Sequence, residues 1–235
     1  MSGTPRTPLL SPVATEAERE QALRDYKVTI EYKHLKNHAP GGVYLLPSFT
    51  DLRHFHGVIF VRRGPYTNGI FKFELRLPPK YNDVDAWPVI TFSSKVYNPH
   101  VDPSTGVLDL KSAYPTWDPH RHYLVTVLTY LKKIFYMKAF PEGDTVANVE
   151  ARDLSVQNLS EYRKRVDDCV TASQKAVFVN TVEGCTAKFS EEEMSHEILR
   201  ELMHQNLTDP STMTRTQVLE MVQEASERAA REQAA

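Results

Sequence analysis

Residues 64–81 read GPYTNGIFKFELRLPPKY, and this stretch decides the fold. Its first six residues include glycine, proline and asparagine, which is typical of a turn. Apolar side chains then alternate with charged ones: Phe71, Phe73, Leu75 and Leu77 against Lys72, Glu74 and Arg76. An alternation of period two predicts a strand with one buried face and one solvated face, as in an antiparallel sheet.

Three further apolar runs flank this strand, at residues 43–46, 55–61 and 89–92. Each is short, and the second is rich in β-branched and aromatic residues, which favours strands. The glycine-rich turn separates the second run from the strand at 71–77. The sequence therefore predicts a four-stranded antiparallel meander.

A helix is predicted before the meander. Thr15 and Glu18 have the spacing of a capping box, which marks a helix start. Leu23, Tyr26 and Ile30 recur at helical spacing and predict its apolar face. Because Pro40-Gly41-Gly42 cannot continue a helix, we expect it to end near residue 37.

Helical patterns return after residue 122. Two apolar stripes have helical spacing: Leu124, Val127, Leu128, Leu131, Ile134 and Phe135 in one, and Tyr162, Val166, Cys169, Val170 and Val177 in the other. Ser190 with Glu193 and Thr214 with Gln217 form two more potential capping boxes. The element order predicts an α+β fold, with a disordered tail at 1–14, one domain at 15–180 and a helical extension at 181–235.

The extension is acidic, because residues 191–235 carry 4 basic and 10 acidic side chains. Val218, Leu219, Val222 and Ala225 lie on one side of its final helix. That side could pack on the domain or on another helix, or the helix could be frayed and solvated. The sequence favours the solvated alternative, because a terminal helix without strong apolar anchors is marginal alone.

Composition excludes several classes of protein. The 235 residues carry a net charge of −2, so we expect no nucleic-acid binding through a global basic field. No run is apolar enough to span a membrane, and the N-terminus lacks the apolar core of a signal peptide. The two cysteines, Cys169 and Cys185, match no disulfide framework or metal motif. We therefore expect a cytoplasmic protein without membrane insertion.

Residues 93–122 form a long segment with four prolines and little regular pattern, and such segments are usually functional. His100, Asp102 and Asp109 could form a metal site or an acid–base pair. Their spacing is irregular, so the sequence favours a polar loop whose side chains cap backbone groups. His120 and His122 are similarly interpreted as a solvated pair. We expect no metal and no cofactor.

Several motifs of this chain resemble those of the ubiquitin-conjugating enzyme family, in the same order. They are Gly64-Pro65-Tyr66 with Gly69 and Phe71, Pro78 with Tyr81, Asn98-Pro99-His100, residues 106–110, and Trp117-Asp118-Pro119. Each motif alone is weak, but the ordered series over residues 15–170 is specific. The resemblance implies the ubiquitin-conjugating (UBC) fold, with the helix and meander described above.

Two departures bear on activity. The family's cysteine, which accepts ubiquitin as a thioester, falls on Asp109, and a carboxylate is a poor nucleophile for this exchange. The family's His-Pro-Asn is reversed, so His100 stands where an asparagine stabilises the oxyanion. The resemblance therefore implies a variant that is not an enzyme and has no catalytic residues. A true enzyme that uses Asp109 or Cys169 is a third possibility. It would need substitutes for both the family's nucleophile and its oxyanion donor.

A closer resemblance is to the fused-toes branch of these variants, through Gly42-Val43-Tyr44, Phe55 to Phe60, and Val101-Asp102-Pro103 with Thr105-Gly106. That branch implies a scaffold that joins a Hook-family coiled-coil protein and an FHIP-like protein, linking endosomal vesicles to dynein. Localisation at endosomal membranes would then come through partners. The alternative is a regulatory partner of an active conjugating enzyme, with weak ubiquitin binding. The sequence does not identify the partner-binding surface.

Overall fold

The computed structural model describes residues 15–137, 146–179, 184–205 and 214–233. The predicted tail at 1–14 and the predicted boundary between residues 180 and 181 lie outside these ranges. The chain divides into two compact units, residues 1–188 and 189–235. Within the described ranges, no helix is long and apolar enough to cross a membrane.

The first unit has an α+β architecture, as predicted. Its four strands form one antiparallel sheet in the order β1-β2-β3-β4. The described ranges contain these elements: α1 (Glu16–His38), β1 (Val43–Pro47), β2 (His54–Phe60), β3 (Ile70–Arg76), β4 (Val89–Phe92), α2 (Leu124–Ile134), α3 (Val149–Gln157), α4 (Leu159–Lys175), α5 (Met194–Gln205) and α6 (Arg215–Gln233). The meander and the helix before it are therefore confirmed.

The alternating pattern of β3 determines which face of the sheet is buried. Phe71, Phe73 and Leu75 are buried, and the charged residues between them are not fully buried. Phe71 stacks on Phe135, which follows α2, with ring centroids 4.9 Å apart. All six residues of the first predicted helical stripe are fully buried. The core therefore lies between this face of the sheet and α2.

The α1 helix begins as predicted, but its apolar face was predicted wrongly. Thr15 and Glu18 form the reciprocal capping box. Leu23 is 57% exposed and Tyr26 is 63% exposed, whereas Val28 and Leu35 are buried. The helix contacts the core through these two residues, spaced seven apart, and through the partly buried Tyr32, and it leaves the predicted stripe to solvent.

A half-buried carboxylate joins α1 to the start of α2. Glu31 Oε2 accepts hydrogen bonds from the Leu124 backbone N–H at 2.9 Å and from the Tyr81 hydroxyl at 2.8 Å. Leu124 is the first residue of α2, whose N–H has no partner inside the helix. Burial raises the pKa of Glu31 although both hydrogen bonds oppose the rise. Glu31 therefore positions α2 at the expense of a desolvated charge.

We expect Glu31→Gln to remove the part of the pH dependence of stability that comes from the titration of Glu31. Because the folded-state pKa of Glu31 is raised, the native state binds its proton more tightly, and stability falls as pH rises above the unfolded value. Glutamine retains an acceptor oxygen but does not titrate. Urea unfolding should show the variant gaining on the wild type from about pH 4 to about pH 7. A variant that loses stability relative to the wild type as pH rises over this range would contradict this assignment.

The second unit is a pair of helices. Ile198 and Leu202 of α5 pack against Ala225 and Ala229 of α6, with Leu199 and Met221 partly buried beside them. The prediction that the final helix is merely solvated was therefore wrong, although Leu219 stays largely exposed. Small alanines allow close packing and give little hydrophobic signal in sequence.

One capping box of this unit is confirmed and one is not. Thr214 and Gln217 form the predicted reciprocal hydrogen bonds at the start of α6. The box predicted at Ser190 is wrong, because α5 begins only at Met194. There the His196 ring nitrogen Nδ1 accepts a hydrogen bond from the Glu193 backbone N–H at 3.1 Å.

Candidate functional site

The long segment after β4 is folded by short-range hydrogen bonds, as its composition predicts. Its only strand-like contacts among the described residues are isolated bridges, Thr91 with Val107 and Val101 with Leu108. Gly106 sits at φ +72°, and a Cβ there would lie 2.6 Å from the Phe92 carbonyl oxygen. Only glycine fits this turn, which places residues 107–110 beside the sheet.

Asp102 stabilises the turn that Gly106 closes. Its Oδ1 accepts hydrogen bonds from the backbone N–H groups of Ser104 and Thr105, both at 2.8 Å, and from the Ser104 hydroxyl at 2.6 Å. These bonds lower the pKa of Asp102 to about 2, with the Ser104 hydroxyl contributing most. The carboxylate is thus an acceptor for its own loop, which is the alternative to a metal ligand that the sequence favoured.

Asp109, where the resemblance aligns the family's cysteine, is partly exposed. Both oxygens of its carboxylate accept hydrogen bonds from Ser112, one from the backbone N–H at 3.1 Å and one from the hydroxyl. The Asp109 N–H donates to the His100 carbonyl oxygen at 2.9 Å. The carboxylate therefore caps the turn that follows it.

A cleft of about 430 Å³ lies beside Asp109. Its walls include Trp87, Val107, Lys111 and Ala147. The Lys111 ammonium lies 5.0 Å from the centroid of the Trp87 ring, and the Trp87 indole donates to the Tyr114 carbonyl oxygen at 2.9 Å. Among the described residues that line this cleft there is no cysteine, so a thioester has no attachment point there.

His100 does not reach this cleft. Its side chain is buried, and its Nδ1 lies 3.2 Å from the Tyr130 hydroxyl of α2. Burial lowers the pKa of His100, although the nearby Asp109 charge opposes the change. A neutral imidazole packed on Tyr130 supports the core and is poorly placed to stabilise an oxyanion. No cluster of three potential metal ligands occurs among the described residues.

Asn98 is the residue whose role the sequence did not indicate. It is fully buried. Its amide Nδ2 donates to the Tyr66 hydroxyl at 3.1 Å and to the Ile134 carbonyl oxygen at 3.0 Å, and its Oδ1 accepts from the His100 N–H at 2.9 Å. Asn98 therefore joins α2 to the loop and to the turn of residues 64–69.

A second asparagine, Asn82, also has a structural role. The Tyr81–Asn82 peptide bond is cis. Asn82 Oδ1 accepts from the Trp117 indole at 2.5 Å, and its Nδ2 donates to the His122 carbonyl oxygen at 3.0 Å. His122 packs its ring 5.1 Å from that of Trp117. The prediction of a solvated histidine pair thus holds for His120, which is exposed, and is wrong for His122.

The thiol of Cys169 is held inside the first unit, on α4. It donates to the Lys95 carbonyl oxygen at 3.1 Å. Burial raises the pKa of Cys169 to about 11, so almost no thiolate forms at neutral pH. Because the thiolate is the nucleophile, this position is a poor substitute for a catalytic cysteine.

We expect Cys169 to react slowly with iodoacetamide in the folded chain. A pKa two units above the ordinary value lowers the thiolate fraction about a hundredfold at neutral pH. Mass spectrometry of a Cys185→Ser variant would isolate the Cys169 rate, and the urea-unfolded variant supplies the reference. A native rate within about threefold of the unfolded rate would contradict this account.

The chain is similar in sequence to known proteins of one family. Residues 27–170 match the family model described as ubiquitin-conjugating enzyme. A protein crossbronx homolog of Culex quinquefasciatus is 35% identical over 158 residues, which is 66% of this chain and 68% of the relative. One of Anopheles gambiae is 35% identical over 162 residues, 68% of this chain and 71% of the relative.

The chain is also similar to a protein named as an AKTIP homolog. A protein AKTIP homolog of Nematostella vectensis is 34% identical over 146 residues, 62% of this chain and 48% of the relative. These matches agree with the helix and antiparallel meander of the first unit, and they confirm the UBC fold. The chain therefore belongs to the ubiquitin-conjugating enzyme family, as a member of the fused-toes branch with crossbronx and AKTIP.

Proposed function

We propose that the chain is a non-catalytic ubiquitin-conjugating enzyme variant that acts as an adaptor between protein partners. The observation that carries this proposal is the state of Asp109. By the resemblance of the motifs its carboxylate stands where the family has its cysteine, and in the structure Ser112 bonds to both of its oxygens. An acyl group transferred to a carboxylate would form a mixed anhydride, which hydrolyses rather than passing ubiquitin on.

Three further features of the first unit support the absence of thioester chemistry. His100 packs on Tyr130 rather than on the cleft, and the Asn98 amide already has hydrogen bonds to the core. Cys169 is buried with a raised pKa. Activity would require replacement of both the nucleophile and the oxyanion donor, so binding is the simpler role for this fold.

The partner that we propose is a Hook-family coiled-coil protein together with an FHIP-like protein, in a complex that links endosomal vesicles to dynein. Membership of the fused-toes branch supports this proposal. The exposed side of α1 supports it further, because Leu23, Tyr26 and Ile30 are spaced as i, i+3 and i+7. That spacing matches the contact seam of a coiled coil. The chain would reach endosomal membranes from the cytoplasm through these partners.

Assembly of the purified proteins tests the proposal. The chain should co-elute with the Hook-family and FHIP-like proteins, and Asp109→Ala should co-elute equally well. The double variant Leu23→Ser with Tyr26→Ser should lose the complex, because it removes the apolar side of α1. Val156→Ser is the matched control, since Val156 is an exposed apolar residue on α3.

Two outcomes would overturn the proposal. One is failure of folded Asp109→Ala to assemble, which would give the carboxylate an active role. The other is co-elution with an active conjugating enzyme in place of the coiled-coil protein. That result would favour the regulatory role, in which the chain directs the synthesis of ubiquitin chains by its partner.

A further inference from the structure

The open edge of the sheet borders a groove. Strand β1 is the first strand of the sheet, and among the described strands it pairs only with β2. A groove of about 540 Å³ lies between β1 and the second half of α1. Its walls include Tyr32, Lys33, Lys36, Val43, Tyr44 and Leu45. We call it the β1 edge groove.

Every second residue of β1 directs its backbone N–H and carbonyl away from β2. The Phe60 N–H donates to the Gly42 carbonyl oxygen at 2.8 Å, immediately before β1. In an antiparallel pair, residues that bond to the partner strand alternate with residues that do not. In this register the even-numbered residues bond to β2. Val43, Leu45 and Pro47 therefore present their backbone groups to the open edge.

Three of these backbone groups have no hydrogen-bond partner among the described residues: the Val43 carbonyl, the Leu45 N–H and the Pro47 carbonyl. Two others are used locally. The Val43 N–H donates to the Pro40 carbonyl oxygen at 3.0 Å, and the Leu45 carbonyl oxygen accepts from the Tyr32 hydroxyl at 3.2 Å. A row of unpaired groups on an edge strand is a template for another extended chain. Because proline has no N–H, the template ends at Pro47.

The charges beside this edge are all positive. Lys33 and Lys36 are exposed and line the groove, and no carboxylate belongs to its described lining residues. Residues three apart lie on the same side of a helix, so both ammonium groups reach the same space. Lys132 adds a third charge where its Nζ donates to the Gly41 carbonyl oxygen at 2.8 Å.

This charge distribution distinguishes between two possible occupants. A second copy of the chain, paired edge to edge, would bring its own Lys33 and Lys36 to the same place, and like charges at close range repel. An extended segment that carries carboxylates would instead pair with these lysines. The edge therefore favours an acidic segment of a partner over a second copy of this chain.

We propose that the β1 edge groove binds an extended acidic segment of a partner protein, which adds to the sheet beside β1. The segment's backbone bonds to the open groups of Val43, Leu45 and Pro47, and its carboxylates pair with Lys33 and Lys36. In this mode of recognition the backbone bonds give affinity and the side chains give specificity. The inference does not rest on the adaptor role, because the groove contains none of the α1 residues assigned to the coiled-coil contact.

A synthetic peptide that alternates valine with glutamate over about seven residues is the probe, since this is the length of an ordinary strand. Fluorescence anisotropy with the full chain should give a Kd below about 100 μM. The same peptide with lysine in place of glutamate should bind at least about tenfold more weakly. Equal binding of the two peptides, or no binding of the acidic one, would overturn the proposal.

N-methylation of the peptide tests the backbone bonds while the protein stays unchanged. In an added strand the N–H groups of alternate residues face the edge. One peptide is methylated at every valine nitrogen and the other at every glutamate nitrogen. One of the two should bind at least about tenfold more weakly than the parent peptide, and the other should bind as the parent does. Equal losses, or no loss in either, would show that no strand is added.

Charge reversal tests the role of the two lysines. Lys33→Glu with Lys36→Glu should bind the glutamate peptide at least about tenfold more weakly and should bind the lysine peptide instead. Lys27→Glu with Lys80→Glu makes the same change in net charge at exposed positions outside the groove. This control should bind as the wild type does, and thermal unfolding should show both double variants folded. A loss of the same size in the control would overturn the proposal, as would a wild-type chain that sediments as a dimer and binds no peptide.

Discussion

Trp117→Ala is expected to lower the free energy of unfolding of the first unit by about 4 kcal/mol. Trp117 is fully buried, so the change leaves a cavity that its neighbours can fill only in part. Its indole N–H is also the donor to Asn82 Oδ1, and the alanine variant leaves that oxygen buried without this bond. The two losses reinforce each other because they occur at one place in the core.

Trp117→Phe separates these two contributions. Phenylalanine restores much of the ring volume but supplies no donor, so its loss should be smaller than that of the alanine variant. Urea unfolding followed by the fluorescence of Trp87 reports the first unit alone, because the chain has only two tryptophans. A loss below about 1 kcal/mol for Trp117→Ala would contradict the structural role of this residue.

Asn98→Ala is the second variant with a large expected effect, about 3 kcal/mol. The substitution removes three hydrogen bonds from a site without solvent. The Ile134 carbonyl oxygen and the His100 N–H both lose the Asn98 side chain as a partner. The Tyr66 hydroxyl is affected less, because it also bonds to the Tyr97 carbonyl oxygen and to Tyr162.

Asp109→Ala is the matched control for this experiment. Asp109 is only eleven residues away in sequence but is partly exposed, and within the described part of the chain its side chain bonds to Ser112 of its own turn. Its loss should be about 1 kcal/mol or less. Urea unfolding of both variants gives the comparison. Equal losses would show that Asn98 does not hold the altered tripeptide in the core.

The strands could be predicted closely because one alternating segment and three short apolar runs mark them in the sequence. The run at 89–92 coincides with β4, and the other three runs lie within a residue or two of the observed strands. β3 has one face on the core, so its period of two appears directly in the sequence, whereas five consecutive residues of β2 are buried and that strand appears as an apolar run. The strands could therefore be predicted without knowing which residues they pack against.

The apolar face of α1 could not be predicted in this way. Only Val28 and Leu35 of this long helix are buried, and two residues do not make a periodic signal. Leu23 and Tyr26 gave the stronger pattern, but they face solvent. A periodic apolar stripe shows that a helix has an apolar side. It does not show whether that side faces the chain's own core or is left for a partner.

The candidate site shows a second limit of prediction from the sequence. The sequence identified Asp109 and His100 through the motifs, but it indicated no role for Asn98 and gave no signal for Glu31. Glu31 contacts Leu124, 93 residues away, and polar residues that bond over such separations have no local pattern. Their burial follows from the packed fold, so only the three-dimensional structure assigns their partners.

We expect this chain to bind partners without forming a thioester with ubiquitin. The most direct measurement incubates it with activating enzyme, ATP and ubiquitin, and resolves the products without reductant. An active conjugating enzyme in a parallel reaction confirms that ubiquitin is being activated. We expect no reductant-sensitive adduct on the wild type or on Asp109→Ala. A reductant-sensitive adduct on the wild type that disappears in Cys169→Ser would contradict it.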